Sequence, residues 1–130
     1  MKSLSFLLLV LVVALMSDNS KQSTNTTDKV VQVTWSKADS RAYARDKLSE
    51  WQEEQWSCLN RLWGKESAWN PDAYNSVRVM GKHAGGIPQL LGLDPATPAP
   101  RQIERGLDYI YYRYTTPCEA WSHFKRNGNY

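Results

Sequence analysis

A mainly α fold is predicted by three features of the sequence. Apolar residues recur at three- and four-residue spacings in separate stretches, helix-starting and helix-stopping residues bracket those stretches, and no strand-rich region or internal repeat appears. The 130 residues allow one domain with appendages, since a folding unit takes roughly 100 to 200 residues. All burial must therefore come from a single core.

Residues 1–16 stand outside that domain. Lys2 precedes an apolar run over residues 4–16 broken only by Ser5, which matches a secretory h-region and falls short of the ~20 residues a membrane span needs. The expectation is a signal peptide or an N-terminal anchor, hence a secreted, extracytoplasmic protein that associates transiently with the membrane through residues 4–16. No cysteine follows the run, which excludes a lipoprotein anchor. Residues 17–35 read as a polar linker, because residues 17–29 (SDNSKQSTNTTDK) hold no apolar side chain. Its end, VVQVTW, alternates in part and could extend against the domain.

The domain, residues 36–130, opens with helical signals. Ser36 or Asp39 can cap a helix running to about Ser49, in which Ala38, Ala42, Ala44 and Leu48 are helix formers. In the next helix Trp56, Leu59 and Trp63 fall at i, i+3 and i+7, with Cys58 and Leu62 widening the stripe. Asn70-Pro71 ends it, since the residue before proline is pushed out of the α region. Residues 75–86 (NSVRVMGKHAGG) read as a loop or hairpin-like excursion, with turns at Gly81, Gly85 and Gly86. Residues 87–91 begin a short apolar turn that the proline-rich residues 94–100 close. A helix over residues 101–114 then places Ile103, Leu107, Ile110 and Tyr114 on one side, with Gly106 at a close-contact position. Pro117 suits the first turn of a last helix whose apolar side is Ala120, Trp121 and Phe124.

Composition narrows the function. Six Trp, seven Tyr and two Phe are many rings for so short a chain; they supply burial and can stack on sugars. The net charge of +3 favours an anionic surface such as a cell wall, but no more than two basic residues stand together, which argues against a nucleic-acid partner. Two Cys and two His without clustered spacing make no metal site, and no cofactor is expected. Cys58 and Cys118 read as a disulfide, the usual state of an isolated pair in an oxidising compartment.

Glu66 is the residue on which chemistry can turn. It lies three residues after Trp63 and four after Leu62, so its side chain should follow the apolar face of its helix. Indole neighbours would strip its hydration, and the negative end of the helix beside it would further favour the neutral acid. A carboxylic acid with a raised pKa is what cleaves glycosidic bonds near neutral pH. Among possible partner carboxylates, Asp72, Asp94, Glu104 and Asp108, none has a motif behind it, and Glu104 and Asp108 read as solvated charges on a helix face. Trp69 and Tyr74 could stack on sugar or close the core, and His83 reads as surface.

With ESAWNPDAYN, AGGIPQL, the run from Gln102-Ile103 through Gly106-Leu107-Asp108-Tyr109-Ile110, and Arg113-Tyr114 through Pro117-Cys118-Glu119-Ala120-Trp121 in view, the chain resembles a known family. It is similar to the soluble lytic transglycosylase-like domains of exported actinobacterial proteins and their phages, distant relatives of resuscitation-promoting factors and lysozymes. The resemblance runs from about Ala44 to Tyr130. It implies a small lysozyme-like α domain with one disulfide, monomeric, acting on peptidoglycan glycan strands.

By position in the motif, Glu66 matches the family's catalytic acid/base, Ser67 the serine that follows it, Gln89 a sugar-binding cleft residue and Tyr109 the cleft tyrosine. The implied reaction breaks the β-1,4 bond between N-acetylmuramic acid (MurNAc) and N-acetylglucosamine (GlcNAc) and forms 1,6-anhydroMurNAc. The alternatives are a lysozyme-type muramidase and a non-catalytic wall-binding module. Residues 77–83 depart from the family's short Ser-Gly-Ala-Tyr connection, and the segment after Leu91 is shorter than in typical members. Both a bacterial wall-remodelling enzyme and a phage endolysin fit the sequence.

Overall fold

The computed structural model describes residues Val33–Tyr130. The expected signal or anchor segment and the expected linker up to residue 32 lie outside the described residues. Among the described residues no helix is long and apolar enough to cross a membrane.

The first helix, α1 (Lys37–Lys47), uses both expected capping residues at once. The Ser36 hydroxyl accepts the Asp39 amide at 3.0 Å, and the Asp39 carboxylate accepts the Ser36 amide at 3.0 Å, satisfying two otherwise unpaired donors. The helix stops two residues before the expected Ser49, and the Leu48 amide bonds back to Ala44 and Arg45. Its inward face is Ser40, Ala44 and Leu48. Before it, residues 33–35 form no strand; Trp35 instead packs edge-on against Tyr43 at 5.4 Å.

The central helix, α2 (Glu53–Ser67), buries Leu59, Leu62 and Trp63, as the apolar stripe predicts. It ends earlier than Asn70-Pro71 requires. Ala68 and Trp69 both adopt left-handed backbone angles, with φ of 51° and 60°, a conformation that costs about 1 to 2 kcal/mol per non-glycine residue. The reversal drops the Trp69 ring fully into the core, where burial of so large a ring contributes about 3 kcal/mol or more. Trp69 is thus a core residue rather than a sugar platform, 5.3 Å from Trp63 and 5.8 Å from Trp56 between ring centres.

The excursion between the helices is a three-stranded antiparallel sheet: β1 (Tyr74–Val79), β2 (Lys82–Gly85) and β3 (Leu90–Leu91), in the order β1-β2-β3. The expected loop or hairpin is a true hairpin, and the expected turn over residues 87–91 ends in a strand. Val79 pairs with Lys82 across Met80-Gly81, both with positive φ, as a two-residue turn of the primed type demands. The strands were not legible because β1 is exposed at every residue, so no apolar alternation marks it.

Helix α3 (Ala99–Tyr114) starts two residues before the expected Arg101. Pro98 flanks it and Pro100 sits in its first turn, where a missing N–H leaves nothing unpaired. Helix α4 (Pro117–Asn127) is capped by the Thr116 hydroxyl, which accepts the Glu119 amide at 3.2 Å, and ends on left-handed Gly128. The disulfide Cys58–Cys118 joins α2 to α4 across 60 residues. Closing a loop of that length stabilises the fold by about 4 kcal/mol in the chain-entropy model.

Gly106 is the close-contact position its spacing predicts. A Cβ there would lie 2.6 Å from Trp63 Cζ2 and 2.8 Å from Pro88 Cβ. Gly106→Ala should therefore lower stability by about 2 to 3 kcal/mol, read as a lower urea midpoint at unchanged slope. An alanine variant as stable as the native chain would show that α2 and α3 are not in this contact.

Candidate active site

The site is built on the turn Gly85-Gly86-Ile87-Pro88-Gln89, and every backbone polar group from Gly86 to Pro88 has a partner. The Gly86 amide donates to Ala73 O at 2.8 Å, and Gly86 O accepts the Gln89 amide at 3.2 Å and its side-chain Nε2 at 2.9 Å. The Ile87 amide donates to Gln102 Oε1 at 2.8 Å, and Ile87 O accepts the Ser67 hydroxyl at 2.6 Å. Pro88 has no N–H, and its carbonyl accepts the Tyr130 hydroxyl at 2.6 Å. Gly86 has φ of 71°, and a Cβ on it would come within 2.4 Å of Gln102 Oε1, so glycine is required there on two counts.

Gln102, wholly buried on α3, holds this turn against the proline-rich segment. Its Nε2 donates to Thr97 O at 2.8 Å and Pro71 O at 2.9 Å, with Pro95 O at 3.2 Å. No sequence expectation named it as a site residue. The available signal was a polar residue beside Ile103 on the inward face of a helix, one residue out of the apolar stripe.

Glu66 occupies the last turn of α2, one residue before the Ser67 hydroxyl that grips Ile87. Its carboxyl takes part in no hydrogen bond or ion pair among the described residues. Burial alone raises its pKa from 4.5 to about 7, because an ionised carboxylate there loses hydration and gains no compensating donor. Its negative charge is felt by the Tyr130 hydroxyl, whose pKa is driven well up by burial and then by Glu66 among its neighbours. Tyr130 is therefore a site residue that the sequence did not reveal. Its hydroxyl also accepts Trp63 Nε1 at 3.0 Å.

Beside Tyr130 runs a groove of about 480 Å³, walled by Gln89, Leu91, Arg105, Asp108, Tyr109 and Tyr130. Two of the expected substrate-binding residues, Gln89 and Tyr109, thus share one wall system. Tyr109 meets Tyr130 edge-on at 5.6 Å and Tyr114 at 6.2 Å; burial first, then Tyr114, raises its pKa, so its hydroxyl stays a neutral donor. Gln89, with φ of 50°, commits Nε2 to backbone carbonyls and leaves Oε1 facing no protein donor among the described residues. Ser67 instead spends its proton on Ile87 O, with Trp63 O at 3.3 Å. It positions the turn rather than presenting a free donor to a sugar. Glu66 does not line the groove; its link to that wall is electrostatic, through the Tyr130 hydroxyl.

Three of the carboxylates considered as partners are placed by their hydrogen bonds or by the groove. Glu104 accepts the Tyr43 hydroxyl at 2.7 Å and Arg101 at 2.9 Å, hydrogen bonds that hold its pKa below the ordinary value. Its role is to tie α1 to α3, not to be a free surface charge. Asp94 caps its own turn through the Ala96 amide at 2.9 Å. Asp108 faces the groove. On the hairpin, Tyr74 is exposed and lies over the His83 ring at 4.9 Å, and His83 accepts Arg78 Nε at 3.1 Å. Among the described residues no group of three or more His, Cys, Asp or Glu could hold a metal ion.

Compared with protein-family models, curated proteins and solved structures, the chain matches none.

Two measurements follow from this geometry. Below pH 4.5 the Glu66 carboxyl is protonated in the folded and unfolded chain alike. As pH rises toward 7 the unfolded carboxyl ionises first, and stability falls by about 2 kcal/mol after discounting for partial exposure. Glu66→Gln, which cannot ionise, should match the native melting temperature at about pH 4 and exceed it by several degrees at about pH 8. Equal melting curves at both pH values would contradict the burial of this carboxyl. Gln102→Leu should cost about 3 kcal/mol or more, since it strands the Ile87 amide and the carbonyls of Pro71 and Thr97 without partners. Urea unfolding that places this variant within 1 kcal/mol of native would refute the role given to Gln102.

Proposed function

We propose that the chain is a lytic transglycosylase of peptidoglycan in which Glu66 is the sole acid and base. The observation that carries the reading is a partly buried carboxyl whose pKa burial raises to about 7, near enough to act electrostatically on Tyr130, a wall residue of a groove that combines tyrosine rings with amide and carboxylate groups. Such a groove suits a sugar strand, which presents apolar ring faces and hydroxyl edges. Four helices and a small hairpin sheet carrying that acid at a helix end also support the resemblance to lysozyme-like domains.

In this reading Glu66 protonates the oxygen bridging MurNAc to GlcNAc, and the leaving sugar departs with that proton. The resulting carboxylate then takes the proton of the MurNAc C6 hydroxyl as that oxygen closes the 1,6-anhydro ring. The internal nucleophile has a high effective molarity, so neither a second carboxylate nor a metal or cofactor is needed. Ser67 and Tyr130 act as positioning residues, because they fix Ile87 and Pro88 and with them the place of Gln89. The disulfide Cys58–Cys118 is compatible with an extracytoplasmic site of action, and the domain is proposed to work as a monomer.

A hydrolytic outcome has one observation in its favour. Asp108 is a carboxylate on the groove wall, where a muramidase would place the group that activates water or stabilises the cation.

Purified protein incubated with peptidoglycan should release soluble muropeptides, and Glu66→Gln should release at least a thousandfold less. Binding of peptidoglycan with no release by either protein would establish a binder instead. Mass spectrometry separates the enzymes, since anhydro ends are expected here and new reducing ends would mean hydrolysis. Activity should hold at acidic pH and fall as pH rises through about 7, where the Glu66 acid is lost; a rate that climbs through that range would exclude Glu66 as the proton donor.

A further inference from the structure

Every residue from Tyr74 to Lys82 is exposed, so the outer half of the β1–β2 hairpin stands clear of the core. Three of its side chains are apolar: Val77, Val79 and Met80 are 64%, 50% and 90% exposed. Met80 occupies the first central position of the turn with φ of 51°, a place that Asn, Asp or Gly usually fills. A methionine there strains its backbone and buries nothing in return, a local penalty of the kind that marks functional surfaces.

The same hairpin is cationic. No Asp or Glu stands between Asp72 and Asp94, and the two cations of that stretch, Arg78 and Lys82, form no ion pair among the described residues. Asp72 precedes β1 at the end away from the turn, and Asp94, beyond β3, accepts the Ala96 amide. Arg78 Nε donates to His83 Nε2 at 3.1 Å, and the other nitrogen of that ring lies 3.0 Å from Asn75 O. Lys82 pairs with Val79 across the turn, which sets an ammonium beside an exposed isopropyl group.

We propose that the hairpin tip docks on an anionic phospholipid surface, with Met80, Val77 and Val79 entering the headgroup layer and Arg78 and Lys82 meeting lipid phosphates. Apolar side chains next to unpaired cations, with no acid among them, match the two attractions such a surface offers. An acidic polymer in water would engage the cations and leave the apolar groups wet. A protein partner needs about 800 Å² on each side, far more than a two-residue turn and its flanks present. The inference is independent of the groove and of what the groove binds.

The test places a reporter at the tip. The only two cysteines of the chain are joined in the disulfide, so Met80→Cys in the full chain supplies a single thiol for an environment-sensitive fluorophore. Its emission should shift to the blue with vesicles of phosphatidylcholine containing about a third phosphatidylglycerol, and stay unchanged with phosphatidylcholine alone. Arg78→Glu with Lys82→Glu should raise the lipid concentration at half-shift by roughly tenfold or more. Lys82→Glu alone, at a side chain without a hydrogen-bond partner among the described residues, should raise it in the same direction and keeps the test valid if the double variant fails to fold. A chain that sediments with the vesicles while the fluorophore at residue 80 stays in water would assign the binding to another segment, such as residues 4–16, and overturn the proposal. A shift of equal size on phosphatidylcholine alone, or one indifferent to the charge reversals, would overturn it as well.

Discussion

One buried amide fixes the relation between the helices and the site. Gln102 accepts from Ile87 and donates toward Pro71 and Thr97, three backbone segments that have no ladder to join. A polar side chain with no exposed surface is destabilising unless its hydrogen bonds are complete. Here they are complete only if the Gly86-Ile87 turn and the proline-rich segment approach α3 together. The turn in turn carries Pro88 onto Gly106 and offers its carbonyls to Ser67 and Tyr130. The end of α2, the middle of α3 and Tyr130, three residues beyond α4, are thus tied to five residues of loop.

That arrangement lets an ionisable group stay unpaired at modest cost. Glu66 is placed by its neighbour Ser67 and by the buried Trp63 one turn earlier, so it needs no hydrogen bond of its own to be held. Stability is surrendered at neutral pH because the carboxyl is partly buried without a donor. Sites that do chemistry commonly carry such local penalties, and the rigid scaffold around them tolerates it.

The helices were legible because their signals are local. The capping pair Ser36 and Asp39, the Trp56, Leu59 and Trp63 stripe, the Gly106 contact and the Cys58–Cys118 pairing each follow from spacing or residue chemistry. The misread boundaries have non-local causes. The end of α2 is set by the burial of Trp69, whose gain offsets two unfavourable backbone angles; the start of α3 reflects prolines that a first helical turn accommodates. The sheet was hidden because its outer strand buries nothing. Within the site, Gln89 and Tyr109, expected from the resemblance, line one groove, and Glu66, expected from its spacing, lies partly buried in the last turn of α2. Tyr130 was not legible, since its place depends on a fold that carries residues 67 positions apart, Trp63 and Tyr130, into one hydrogen bond.

Strand β1 forms one border of the sheet and leaves Val77 and Val79 open to water. An unprotected border of that kind invites another chain to add itself and seed aggregates. Two details resist this: the pairing register slips between Tyr74 and Arg78, which interrupts the row of regularly spaced backbone groups, and the opposite border, β3, is only two residues long. Many copies of this domain crowded together would therefore meet a sheet that is a poor template for its own kind.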